Sequence, residues 1–135
     1  MAVLDTLFPH SAVTGDIAVR VVVSFLPDQS QPDQARWFWA YHIRIENHGG
    51  QEVQLLTRRW IITDGRGDRH AVEGEGVVGE QPVIAPGASY DYVSGCPLDT
   101  PTGSMEGSYR MVRADGAVFD AAIPHFQLIG PAVIP

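Results

Sequence analysis

The sequence predicts an all-β domain, a sandwich of about seven strands in two antiparallel sheets. Three observations carry that expectation. The longest apolar segments alternate with a period of two, glycine and proline clusters punctuate them at strand-length intervals, and no segment places apolar residues at a helical period.

The elements follow in order along the chain. Asp16 to Phe25 sets Ile17, Val19, Val21, Val23 and Phe25 on one face, against Asp16, Arg20 and Ser24 on the other. Leu26 to Ala35 is polar and contains two prolines, so it reads as an exposed connection. Arg36 to Glu46 is the clearest strand. Its odd positions are Trp37, Trp39, Tyr41, Ile43 and Ile45, and its even positions are mostly polar. Val53 to Asp64 is apolar and branched, but its parity shifts near Arg58-Arg59, which predicts a bulge there. Arg69 to Glu73 is a short strand, and Ser89 to Ser94 puts Tyr90 and Tyr92 on one face. Ser108 to Arg113 and Ala117 to Ile123 flank Asp115-Gly116, a hairpin signal. This pattern is of the immunoglobulin or fibronectin type III-like kind, without the Cys…Trp…Cys core of true immunoglobulin domains. The division expected is a loosely held segment 1–14, a sandwich over 15–127 and a tail over 128–135.

Composition removes several functions. All nine basic residues are arginines, so a Walker phosphate loop and Schiff-base chemistry both lack their lysine. A net charge of −7 argues against a nucleic-acid partner, which needs a basic face. No run approaches the ~20 apolar residues of a membrane span, and the N-terminus does not read as a secretory signal. The single cysteine, Cys96, cannot form an internal disulfide, which favours a reducing, cytoplasmic setting.

Four groups carry candidate chemistry. Gly74, Gly76 and Gly79 match the spacing of a dinucleotide loop, an anion or pyrophosphate cradle. That motif needs a helix behind it to receive the phosphates, and Glu80-Gln81-Pro82 followed by Pro86-Gly87 does not supply one. Glu73, Glu75 and Glu80 also flank the loop, and one carboxylate ~6 Å from a phosphate charge costs roughly 0.7–3 kcal/mol. Arg58, Arg59 and Trp60 are of the types enriched in binding hot spots and are candidates for an anion or partner contact. The alternative is that Trp60 packs in the core and the arginines pair with nearby acids. The five histidines repeat no zinc spacing, and Cys96 reads as a small buried hydrophobe rather than a nucleophile. Asp64 to Asp68, which includes Arg66-Gly67-Asp68, reads as a polar turn. No catalytic constellation and no required cofactor emerge.

Several unusual stretches occur together: Arg36 to Tyr41, Ile45-Glu46-Asn47, Val53 to Asp64, Gly74 to Pro82, Ser94 to Leu98, Gly107-Ser108-Tyr109 and Ile123-Pro124. In these, from about Gly15 to Phe126, the chain resembles the ApaG family. The resemblance implies a fibronectin type III-like sandwich and a link with cobalt resistance and magnesium efflux. Related domains in eukaryotic F-box proteins and in a polymerase-interacting protein imply protein–protein recognition. The family's glycine loop, carried here by Gly74, Gly76 and Gly79, has been proposed to bind pyrophosphate. The expectation is therefore a non-enzymatic interaction domain with an unidentified protein partner. Nucleotide or pyrophosphate binding and direct Co²⁺ or Mg²⁺ binding are the alternatives, and the exposed sheet edges allow a homodimer.

Overall fold

A computed structural model describes residues 7–131 of the chain. Among the described residues, nine strands form two antiparallel sheets: β1 (His10–Thr14), β2 (Ile17–Phe25), β3 (Trp37–Asn47), β4 (Val53–Asp64), β5 (Arg69–Glu75), β6 (Val83–Ile84), β7 (Ser89–Leu98), β8 (Thr102–Arg113) and β9 (Val118–Ile129). One sheet has the order β1-β2-β3-β7. The other has the order β5-β4-β8-β9, with β6 pairing the start of β4. This is the expected immunoglobulin/fibronectin type III-like sandwich, with β1 and β6 in addition to the seven expected strands. Two single-turn 3₁₀ segments, Pro27–Gln29 and Pro32–Gln34, occupy the polar connection between β2 and β3.

The core forms where the alternation places it. Trp39, Tyr41, Ile43 and Ile45 of β3 are buried, as are Ile17, Val19 and Val21 of β2. From the second sheet come Leu55, Trp60, Met105, Tyr109, Met111, Ile123, Phe126 and Leu128. Aromatic side chains meet between the sheets: Tyr41 of the first sheet packs against Trp60 and Phe126 of the second, which also pack edge-on against each other. The Tyr92 and Tyr109 hydroxyls hydrogen-bond to one another across the two sheets, so two buried polar groups satisfy each other where either alone would be costly.

Two register shifts re-aim the second sheet. Leu56 is an extra residue in β4, since Leu55 pairs Met111 and Thr57 pairs Arg110. Before it the odd residues Val53 and Leu55 are buried; after it the even residues Trp60 and Asp64 are. The bulge expected near Arg58-Arg59 thus lies two residues earlier. The second shift pairs Met105 with Phe126 but Gly107 with Ile123, which places Pro124 and His125 at the irregularity. Proline is tolerated in a strand at such a bulge, and β9 therefore runs on to Ile129 instead of stopping at Ile123.

The strands cross the expected boundaries at both ends. His10–Thr14, inside the stretch 1–14 expected to be loose, is a full partner of β2, and Thr14 accepts a hydrogen bond from the Ala122 amide of β9. The parts of that expectation covering 1–6 and 132–135 lie outside the described residues.

Two knots of polar groups fix the loops. Asn47 is buried, and its amide donates to the Gln51 and Ile84 carbonyls while its side-chain oxygen accepts from Gly49. On the outer face of the first sheet, Glu46 accepts from Arg20, Arg44 and His48. Burial pushes the Glu46 carboxyl up, but those three partners outweigh it and bring its pKa down to about 2.

A carboxylate whose folded pKa is depressed contributes stability above its unfolded pKa of about 4.5, and that contribution is lost as pH falls through the folded value. Between pH 4.5 and 2 the unfolding free energy should drop by about 3 kcal/mol more in the native chain than in Glu46→Gln. Denaturant titrations of both across that window test this; identical pH slopes would refute the depressed pKa.

Candidate functional site

The two lateral seams of the sandwich differ. On one side β1 and β2 pack against β9 and close the gap between the sheets. On the other the edge strands β5 and β7 leave a cleft of about 1170 Å³. Its floor is apolar, made by Trp60, Ile62, Cys96, Leu98 and Met105. His70, Val72 and Gly74 of β5 face the same way as their partners Ile62, Trp60 and Arg58, and among the described residues no strand of the opposite sheet covers Val72, which is 41% exposed. At one end, Arg66 joins Asp64, Asp68 and Asp99 in a surface ion-pair group around the turn after β4. Asp64 accepts the amides of Arg66 and Asp68, so the segment is a side-chain-closed polar turn.

Arg58 stands at the other end. The Leu56 bulge turns it inward with Trp60, where it lies beside Tyr41, Ser94 and Tyr92. Its Nη1 donates to the carbonyls of Glu75 and Gly76, both at 2.9 Å. A Cβ at Gly74 would lie 2.8–2.9 Å from Nη2, Cζ and Nη1 alike, so the guanidinium rests flat on that glycine. The structure therefore brings Arg58 together with the glycine segment. The contact is to carbonyls, however, and not through an anion held by amides.

The glycine segment itself is a tight hairpin. The Val77 and Glu80 amides each bond the other's carbonyl, at 2.8 and 2.9 Å. Val78 and Gly79 between them have φ of 44° and 82°, the two positive values of a type I′ turn. The Gly76 amide donates to the carbonyl of the bulge residue Leu56, which also accepts from the Gln81 side chain. Three amides of the segment are thus committed internally. Strand β5 precedes it and no helix follows, which removes the geometry of a dinucleotide fold.

The remaining candidates fall elsewhere. Trp60 is a core residue, 3% exposed, and it reaches the cleft as part of its floor. Arg59 points to the outer face and pairs with Glu73 at 3.0 Å. Burial pushes the Cys96 thiol up to about 11, the opposite of an activated nucleophile. Among the described residues, no group of three or more His, Cys, Asp or Glu is placed to hold a metal ion. Also among them, no helix is long and apolar enough to cross a membrane. The sequence did not reveal the cleft or the inward aim of Arg58, because both depend on which edge strands pair and where the bulge falls.

The ApaG domain family matches residues 27–113. Protein ApaG of Afipia carboxidovorans is 55% identical over 124 residues, covering 92% of this chain and 95% of its own. Protein ApaG of Rhizobium meliloti is 50% identical over 125 residues, with 93% and 96% covered. Among solved structures, the putative ApaA protein of Bordetella pertussis superposes with a TM-score of 0.83 at 44% identity, covering 87% of this chain and 96% of that one. The C-terminal domain of Wzt, at 10% identity and a TM-score of 0.57, shares the fold alone.

Two substitutions separate the roles of the turn residues. Gly76 has φ of 62°, and a Cβ there would collide with the Glu80 carbonyl; Gly76→Ala should cost at least about 2 kcal/mol. Val78 is a branched residue held at positive φ, so Val78→Asn should stabilise by about 1 kcal/mol. Thermal unfolding of both checks the turn; a neutral Gly76→Ala would contradict it.

Proposed function

The chain belongs to the ApaG family, and from that premise we propose that it is a non-catalytic interaction domain that holds a segment of a partner protein in the cleft between β5 and β7. The observation that supports this most is the cleft itself. It has an apolar floor and an uncovered Val72, and at its Arg58 end lies a strained, 57% exposed Val78. Exposed branched side chains around a concave apolar surface are costly in a free protein and suit a partner. Among the described residues the outer edges of β5 and β7 are unpaired, and they offer backbone hydrogen bonds to an extended segment. A second copy of the chain using these edges would give the homodimer that the sequence allows.

In this reading any role in cobalt or magnesium homeostasis is exerted through the partner, from the cytoplasm, with no metal bound by the domain. Nucleotide or pyrophosphate binding at Gly74–Gly79 is the weaker reading, since the Gly76, Val77 and Glu80 amides are bonded to the chain's own carbonyls. Direct divalent-metal binding is weaker again, for want of a ligand cluster among the described residues.

The cleft reading is tested by affinity capture from a native lysate with the wild-type chain, Val72→Asp and Val118→Asp. Val118 is a similarly exposed valine on β9, the far edge of the second sheet from β5. The proteins captured by wild type and Val118→Asp should be lost from Val72→Asp. Capture unaffected by Val72→Asp would refute the cleft as the binding surface. Saturable amide shifts at Gly74–Gly79 under millimolar nucleotide with Mg²⁺ would favour the phosphate reading.

A further inference from the structure

We propose that the partner segment carries a carboxylate that docks on Arg58, so that the cleft recognises an acidic group set beside apolar residues. This rests on the cleft reading above and names the chemistry of what enters it. The first support is the charge census. Among the described residues, seven arginines lie within 4 Å of a carboxylate: Arg20, Arg44, Arg59, Arg66, Arg69, Arg110 and Arg113. Arg36 and Arg58 do not, in a chain of net charge −7 with carboxylates in excess. Both line the cleft, but only Arg58 is half-buried and fixed.

The second support is geometric. Nη1 is spent on the Glu75 and Gly76 carbonyls, and Gly74 backs the plane. The Nε–Nη2 edge has no protein partner among the described residues. That edge is one side of the guanidinium fork and matches the two oxygens of a carboxylate. Immobilising the arginine beforehand removes the rotamer entropy that usually weakens such a pair. The apolar floor at Trp60 and Ile62 lies beside it, together with Val72 of β5. An extended segment placing an acid at Arg58 thus lays its alternate neighbours toward that floor.

The carboxylate can come from an Asp or Glu side chain or from a chain terminus, and two libraries separate these. One displays random decapeptides with a free C-terminus. The other displays them internally, with carrier protein beyond. Panning either against the full chain should enrich peptides with an acid at one fixed position, or only free-terminus peptides if the terminus is read. Replacing the acid by its amide in a selected peptide, or amidating its terminus, should weaken binding by roughly tenfold or more, and this needs no protein variant. Arg58→Gln should remove the acid preference while Arg59→Gln keeps it, with thermal unfolding confirming that both fold. Selected peptides without a carboxylate, or affinity indifferent to its removal, would overturn the proposal and leave the cleft reading standing. No enrichment from either library would overturn both.

Discussion

A single extra residue in β4 organises this domain's open side. Leu56 has no partner in the ladder with β8, and it inverts the parity of everything after it. Arg58, Trp60 and Ile62 turn inward, and Arg59 turns out to meet Glu73. An unpaired bulge residue would leave its carbonyl exposed to the cost of desolvation. Here that carbonyl accepts the Gly76 amide and the Gln81 side chain. The bulge is therefore pinned by the glycine turn, and the turn's own carbonyls are held by the arginine that the bulge re-aims. The three features form one closed set of hydrogen bonds.

The glycines take their meaning from that set. Gly74 is bare because the guanidinium lies on it, and Gly76 because its backbone conformation and the nearby Glu80 carbonyl leave no room for a side chain. The same spacing in a nucleotide fold serves a different end, the close approach of phosphate to amides. The sequence pattern alone does not distinguish these uses. What separates them is the direction of the hydrogen bonds, with amides turned to the chain's own carbonyls and a cation placed where an anion would sit.

The sandwich was legible because β2 and β3 alternate without interruption and Asp115-Gly116 marks a hairpin. Legibility failed where parity changes inside a strand. The parity shift is visible and reads as a bulge near Arg58-Arg59, but only the ladder with β8 places the extra residue at Leu56. The strand expected over Ala117 to Ile123 stops short of Pro124, which is a bulge residue within a longer β9. β1 was missed because five residues with only alternate partial burial give too weak a pattern. For the site, the sequence marks the glycines together with Arg58 or Arg59 as anion-binding candidates, without saying which arginine meets them. Their contact lies across the β4–β5 pairing, and nothing in their spacing announces it. The asymmetry between the closed β1–β9 seam and the open β5–β7 seam is likewise a property of strand order, which alternation does not encode.

At the open side, everything depends on Arg58 being a fixed cation built into the cleft. That claim is tested by the rotation of the guanidinium, observed in solution as the Nη resonances of arginine-labelled full-length chain. Bonds from Nη1 to two carbonyls and the flat contact with Gly74 should hold the ring of donors still. Arg58 should show two separate Nη signals at temperatures where the exposed Arg36 shows one averaged signal. A single averaged Arg58 signal, indistinguishable from that of Arg36, would contradict the claim.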